Sequence, residues 1–260
     1  MYAIVTAGGI PKPDDPLYEY TQGQSKALLD IAGKPMVQWV LDAVGASEKI
    51  EKVVMVGLGP DSGVSCQKPL TYIPNQGSML DNVRASIDKV VELQPDAKLI
   101  LMVSSDIPAL TTEMVDWSIE AALETEDDLY YNIITREVME ARFPGSKRSF
   151  IKFKDAEICG GDMNIARASV ASGNDELWER LISARKNPLK QAALFGFSTL
   201  FLMLTRRLSI HDAAPRVSKQ IGFRGRVVFC PYAELAMDID KPHQLDILRA
   251  DLEKQVAASS

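Results

Sequence analysis

Tyr2-Ala3-Ile4-Val5-Thr6-Ala7-Gly8-Gly9 is a short apolar run that halts on two glycines. An unbroken run of this length predicts a strand, Tyr2–Thr6, covered on both faces as in a parallel sheet. The glycines end it, and without side chains they let a ligand approach the backbone. Pro35 is then expected to open a helix to about Val44, with Met36, Val37, Val40, Leu41 and Val44 on one stripe. Lys52–Val56 and Leu70–Ile73 read as strands. Met79–Leu93 reads as a helix, with Leu80, Val83, Ile87, Val90 and Val91 at helical spacing. Lys98–Val103 is the most apolar strand, and Thr112 is expected to cap a helix to about Leu123. Strand and helix alternate throughout, which predicts an α/β fold with a mostly parallel sheet.

Beyond Asp128 the alternation stops. Leu129–Thr135, Phe150–Phe153 and Ile158–Cys159 are expected as strands with no helices between them. A helical block over about 175–221 follows. Arg226–Cys230 and Leu235–Met237 read as short strands, and Pro242 opens a last helix. No linker interrupts this order, so residues 1–260 read as one domain, divided into halves at about 125 and 126. A chain of 260 residues buries a sizeable core without staples.

The formal net charge is −6. That removes bulk attraction for nucleic acid, so no nucleic-acid partner is expected, and any positive charge at a site must be local. Cys66, Cys159 and Cys230 lie far apart without CxxC spacing. They make neither a disulfide framework nor a zinc site. The N-terminal strand has no basic segment followed by a long apolar one, and the expected location is cytoplasmic.

Three motifs carry chemistry. Ala7-Gly8-Gly9 is followed later by Ser25-Lys26-Ala27-Leu28-Leu29. Ligands of open α/β sheets bind at the carboxyl ends of strands, and a lysine there supplies point charge to phosphates. A plain tight turn with a solvated lysine is the competing reading. Neither GxGxxG nor GxxxxGK[ST] is present. In Ser104-Ser105-Asp106-Ile107-Pro108 a carboxylate sits where a buried strand emerges, suited to Mg²⁺ or, alternatively, to capping a turn. In Met237-Asp238-Ile239-Asp240-Lys241-Pro242 two carboxylates two residues apart point the same way along an extended segment. Asp240 as a helix cap is the alternative there.

In this order the motifs resemble the MobA-like NTP transferase family, nearly from Tyr2 to Leu248. Its members have a GT-A-type fold, a three-layer α/β/α sandwich. The resemblance implies a Mg²⁺-dependent nucleotidyltransferase that moves a nucleoside monophosphate from an NTP to a phosphorylated small-molecule acceptor. Residues 1–125 would bind the nucleotide and 126–260 the acceptor. Ala7, Gly8 and Gly9 would line base and phosphates. Lys26 would touch phosphate and, with Asp106, carry catalysis. Asp106, Asp238 and Asp240 would hold metal. Asn75, Gln76, Gly77 and Ser78 occupy the place where the family reads the base. The family's usual arginine after the glycines is replaced by Ile10-Pro11-Lys12, with Lys12 as the substitute, and Ser25 stands in place of the usual proline. A nucleotide-sugar-dependent glycosyltransferase and a non-catalytic nucleotide-binding protein are the rival readings.

A fourth group lies in the acceptor half. Lys147 and Arg148 suit an acceptor phosphate. Gly160 and Gly161 permit close approach, and Asp162 or Asn164 suits acceptor hydroxyls. A basic surface turn and a glycine hairpin are the alternative. His211 and His243 are read as surface or capping residues. Ala192–Leu204 is apolar on all sides, ahead of Thr205-Arg206-Arg207. It is too short to span a bilayer, so no stable insertion is expected. Core helix, homodimer helix and peripheral membrane contact are its three readings.

Overall fold

In a computed structural model the structure describes residues 1–171 and 196–259. In chain order the strands are β1 (Tyr2–Thr6), β2 (Asp30–Ile31), β3 (Lys34–Pro35), β4 (Lys52–Val56), β5 (Leu70–Ile73) and β6 (Leu99–Ser104). Then come β7 (Leu129–Thr135), β8 (Ile151–Lys152), β9 (Glu157–Gly160), β10 (Met163–Arg167) and β11 (Gly225–Phe229). The helices are α1 (Tyr18–Thr21), α2 (Met36–Ala46), α3 (Met79–Leu93), α4 (Thr112–Leu123), α5 (Arg136–Arg142) and α6 (Ala168–Ala171). After the undescribed stretch come α7 (Phe197–Leu204), α8 (Ile210–Ile221) and α9 (Pro242–Ser259).

Nine strands form one sheet in the order β5-β4-β1-β6-β10-β7-β9-β8, with β11 also paired to β7. The pairs β5-β4, β4-β1 and β1-β6 are parallel, while β10 is antiparallel to both its neighbours. This is the mixed, mostly parallel α/β sheet with helices on its faces. Alternate residues of β1 enter two different cores: Ala3 and Val5 meet α2, and Tyr2 and Ile4 meet α3. Both faces of the strand are therefore sealed, which is why its sequence is apolar without alternation.

The structure departs from expectation at three places in the second half and at one helix cap in the first. A helix, α5, does stand between β7 and β8; Thr135 caps it directly at the strand's end. β10 lies in mid-sheet, although Met-Asn-Ile-Ala-Arg carries little strand signal. Leu235–Met237 is not a strand, since Ala233–Ala236 winds a 3₁₀ turn instead. The cap of α4 is Thr111, one residue earlier than expected, its hydroxyl accepting from the Met114 amide. Much of the block expected over 175–221 lies outside the described residues, and α7 and α8 form its described part.

Candidate active site

β4 and β6 flank β1 on opposite sides, so the order of strand addition reverses at β1, although all three strands run parallel. A crevice forms at their carboxyl ends. Gly8 and Gly9 leave β1 on one wall, and Asp106 leaves β6 on the other. The long loop after Gly9 folds back onto the strand it left. Ser25 Oγ donates to Ala7 O at 3.2 Å, and Lys26 N donates to Gly9 O at 2.9 Å. That return delivers the Lys26 side chain into the crevice. Lys12 stays exposed on the loop.

Lys26 Nζ donates to Asp106 Oδ2 at 2.6 Å and to Asp240 Oδ1 at 2.9 Å. Burial alone would lower the ammonium's pKa, but the two carboxylates outweigh it and the net shift is upward. Lys26 is therefore a fixed cation. Ser104 Oγ donates to Asp106 Oδ1 and orients that carboxyl. The Ile239 amide donates to Asp106 O at 3.0 Å, so the backbone of β6's exit grips the distant Asp238-Ile239-Asp240 segment. One ligand atom from each of Asp106, Asp238 and Asp240 falls within 4.8 Å of the others.

Arg148 closes the crevice from the second half. It forms an ion pair with Asp238 and lies 4.0 Å from Asp162. Arg148 Nη1 meets the buried Asp238 Oδ1, which takes no further hydrogen bond. Asp162 Oδ2 is buried without one too. Burial, and then the Asp106 charge, push the Asp162 pKa up to about 7. His243 Nε2 contacts Ser146 O at 2.9 Å and ties the start of α9 to the loop carrying Arg148. Arg142 binds Asp251 through two hydrogen bonds, at 2.8 and 2.7 Å, and Glu234 at 2.7 Å. This fixes the 3₁₀ turn that leads into Asp238.

Lys26, Asp106, Asp238, Asp240, Arg148 and Asp162 thus meet in one place. Lys147 sits beside them in sequence but is exposed, with a left-handed backbone at φ 52°. Asn164 is occupied at both ends of its amide: Oδ1 accepts from Asn132 N, and Nδ2 donates to Gly161 O, each at 2.9 Å. Gly161 donates its N–H to Asn132 O in the same sheet contact.

The Asn75–Ser78 loop lies against Gly8 through Asn82, a buried residue of α3 that sequence inspection overlooks. Asn82 Oδ1 accepts from Gln76 N at 2.7 Å, and Asn82 Nδ2 donates to Asn75 Oδ1 at 3.2 Å. Asn75 Nδ2 in turn donates to Gly8 O at 2.9 Å. Its oxygen is therefore engaged by Asn82 and Gly77, and one amide hydrogen by Gly8. Ser78 caps α3, accepting from Asp81 N. Nothing marked Asn82 beforehand, because it lies beside, not on, the apolar stripe of α3.

Fold and crevice define a protein of the NTP-transferase class. Residues 4–171 match the MobA-like NTP transferase domain, and the chain belongs to that family. A hypothetical transferase from Thermus thermophilus superposes with a TM-score of 0.81 at 32% identity, covering 94% of this chain and 98% of that one. CMP:2-keto-3-deoxy-manno-octonic acid synthetase, solved with CTP, superposes at 0.58 with 14% identity, covering 98% of each chain. The 4-diphosphocytidyl-2C-methyl-D-erythritol synthase of Anaerococcus prevotii gives 0.56 at 13% identity, covering 97% of this chain and 95% of that one. At such identities the last two share the fold. Among curated proteins none matches the sequence.

Proposed function

We propose that the chain is a nucleotidyltransferase that joins a nucleoside monophosphate from an NTP to a phosphorylated small-molecule acceptor. The observation that carries this is the meeting of Lys26, Asp106, Asp238 and Asp240 at the β1–β6 crevice, with Arg148 on its far wall. The NTP-transferase family and the similarity to two synthetases of nucleotide-activated products support it.

The acidic trio fits Mg²⁺. It offers three hard oxygen donors that lie within 4.8 Å of one another. When bound there, the ion would neutralise phosphate charge. Gly8 and Gly9 present backbone to the phosphates, and a Cβ at Gly9 would meet nothing within 4 Å, so the space above it is open. Lys26 donates to phosphate oxygens in place of its carboxylate partners. An oxygen of the acceptor phosphate attacks the α-phosphorus, the new P–O bond forms, and the bond to the bridging oxygen of pyrophosphate breaks. A phosphate anion needs no base, so no protein nucleophile or proton acceptor is required. Arg148 holds the acceptor phosphate, and positioning with charge neutralisation supplies the rate.

A pyrophosphate-release assay tests this, with each of the four NTPs and Mg²⁺ against a panel of phosphorylated acceptors. Release that needs one NTP and one acceptor, and that falls at least roughly 100-fold in Asp106→Ala, is the expected result. Binding of a nucleotide-sugar without any NTP would defeat the proposal. We place the reaction in the cytoplasm, where NTPs are supplied.

A further inference from the structure

We propose that the exposed face of α7 and the arginine turn after it dock this protein on the surface of an anionic lipid bilayer. In α7, Phe201 is 60% and Leu204 74% exposed. Three residues apart on a helix, they share one face. The opposite side is held by the protein: Thr199 is buried, and Leu202 and Met203 are half-buried. The outward placement of Phe201 and Leu204 is therefore fixed.

The chain then closes sharply. Arg206 adopts a left-handed backbone at φ 54°. The amides of Arg207 and Leu208 both donate to Leu202 O, at 2.8 and 3.1 Å, while the Leu208 side chain is buried. Arg206 and Arg207 are left exposed beside Leu204, with no ion-pair partner among the described residues. The Lys154 amide donates to Leu208 O at 2.9 Å, which brings the exposed Lys154 to the same turn.

No acidic residue occurs from Gly196 to Ile210. Of the nearest acids, Asp155 is engaged by the Ser209 hydroxyl and the Ile210 amide, and Asp212 is exposed in the first turn of α8. On a chain of net charge −6, this local cluster of cations beside apolar side chains complements anionic headgroups. A short helix with Phe and Leu outward and arginines at its end suits the interfacial plane. No described helix is long and apolar enough to cross a membrane. A second copy is a poor occupant: two apolar side chains fall far short of the roughly 800 Å² per partner of a stable interface. Across a twofold the arginines would also face their own copies.

Vesicle sedimentation without nucleotide tests this separately from nucleotidyl transfer. Vesicles of phosphatidylcholine alone are compared with vesicles that also contain phosphatidylglycerol. Binding at least roughly tenfold tighter to the anionic vesicles, weakening with salt, is expected. Phe201→Asp/Leu204→Asp should abolish binding, and Arg206→Glu/Arg207→Glu should abolish the anionic preference, with melting temperatures unchanged because these side chains are exposed. Absence of binding, or equal binding by both variants, overturns the proposal. So does a dimer by light scattering that Phe201→Asp/Leu204→Asp converts to monomer, since the face would then be covered by a second copy.

Discussion

Asp162 shares the crevice with the carboxylates of Asp106, Asp238 and Asp240, and Arg148 and Lys26 oppose them. Its Oδ2 is covered while 34% of the side chain still meets solvent. Because its folded pKa is raised to about 7, the folded state binds more protons than the unfolded one between pH 4 and 7. Stability therefore falls as pH rises through that window. Asp162→Asn should melt about 1–3 °C higher than wild type at pH 8 in EDTA and at the same temperature at pH 4, a small effect because solvent screens part of the charge. Thermal melts at the two pH values check this, and an unchanged difference between them would contradict it. Lys26 makes the opposite kind of prediction. Its charge is secured by two carboxylates, so Lys26→Ala should lower kcat by roughly 100-fold or more in the pyrophosphate assay.

The junction of β1 with α3 is built to a tolerance of one methyl group. A Cβ on Gly8 would stand 2.4 Å from Asn82 Nδ2, and a Cβ on Gly57 would strike the Gly8 backbone at the same distance. Gly8→Ala should displace Asn82 and, with it, the Asn75–Ser78 loop. Expected are a stability loss of about 1–3 kcal/mol and an NTP KM raised roughly tenfold, by denaturant titration and steady-state kinetics. The elements at this junction were legible in sequence. β1, β4 and α3 occupy the residues their apolar patterns predict, because the strands are buried on both faces and the helix along one stripe. α5 was not, since Arg136-Glu-Val-Met-Glu-Ala-Arg142 follows a strand with no turn between. Neither was β10, whose place comes from two neighbouring strands and not from its own residues. Within the crevice, the acidic motifs and Lys26 could be read as motifs. The Asn82 contacts and the Arg148–Asp238 pair could not, because they join residues whose partners lie far off in sequence.

Across the whole molecule, four carboxylates and two cations converge from both halves of the chain. Carboxylates this close repel one another, and a divalent cation relieves that repulsion. Millimolar Mg²⁺ should therefore raise the melting temperature, and EDTA should reverse it. In Asp238→Asn the shift should shrink, as differential scanning fluorimetry would show. Absence of any shift in the wild type would argue against a cation at the trio.

The hydrogen bond from the Ile239 amide to Asp106 O bears on how the protein comes into being. Lys26 and Asp106 leave the ribosome long before Asp238 and Asp240. A nascent chain can complete the parallel strands β1, β4 and β6 while the trio of Asp106, Asp238 and Asp240 still lacks two members. Synthesis order thus acts as a timer, and the trio is complete only once most of the chain has been made.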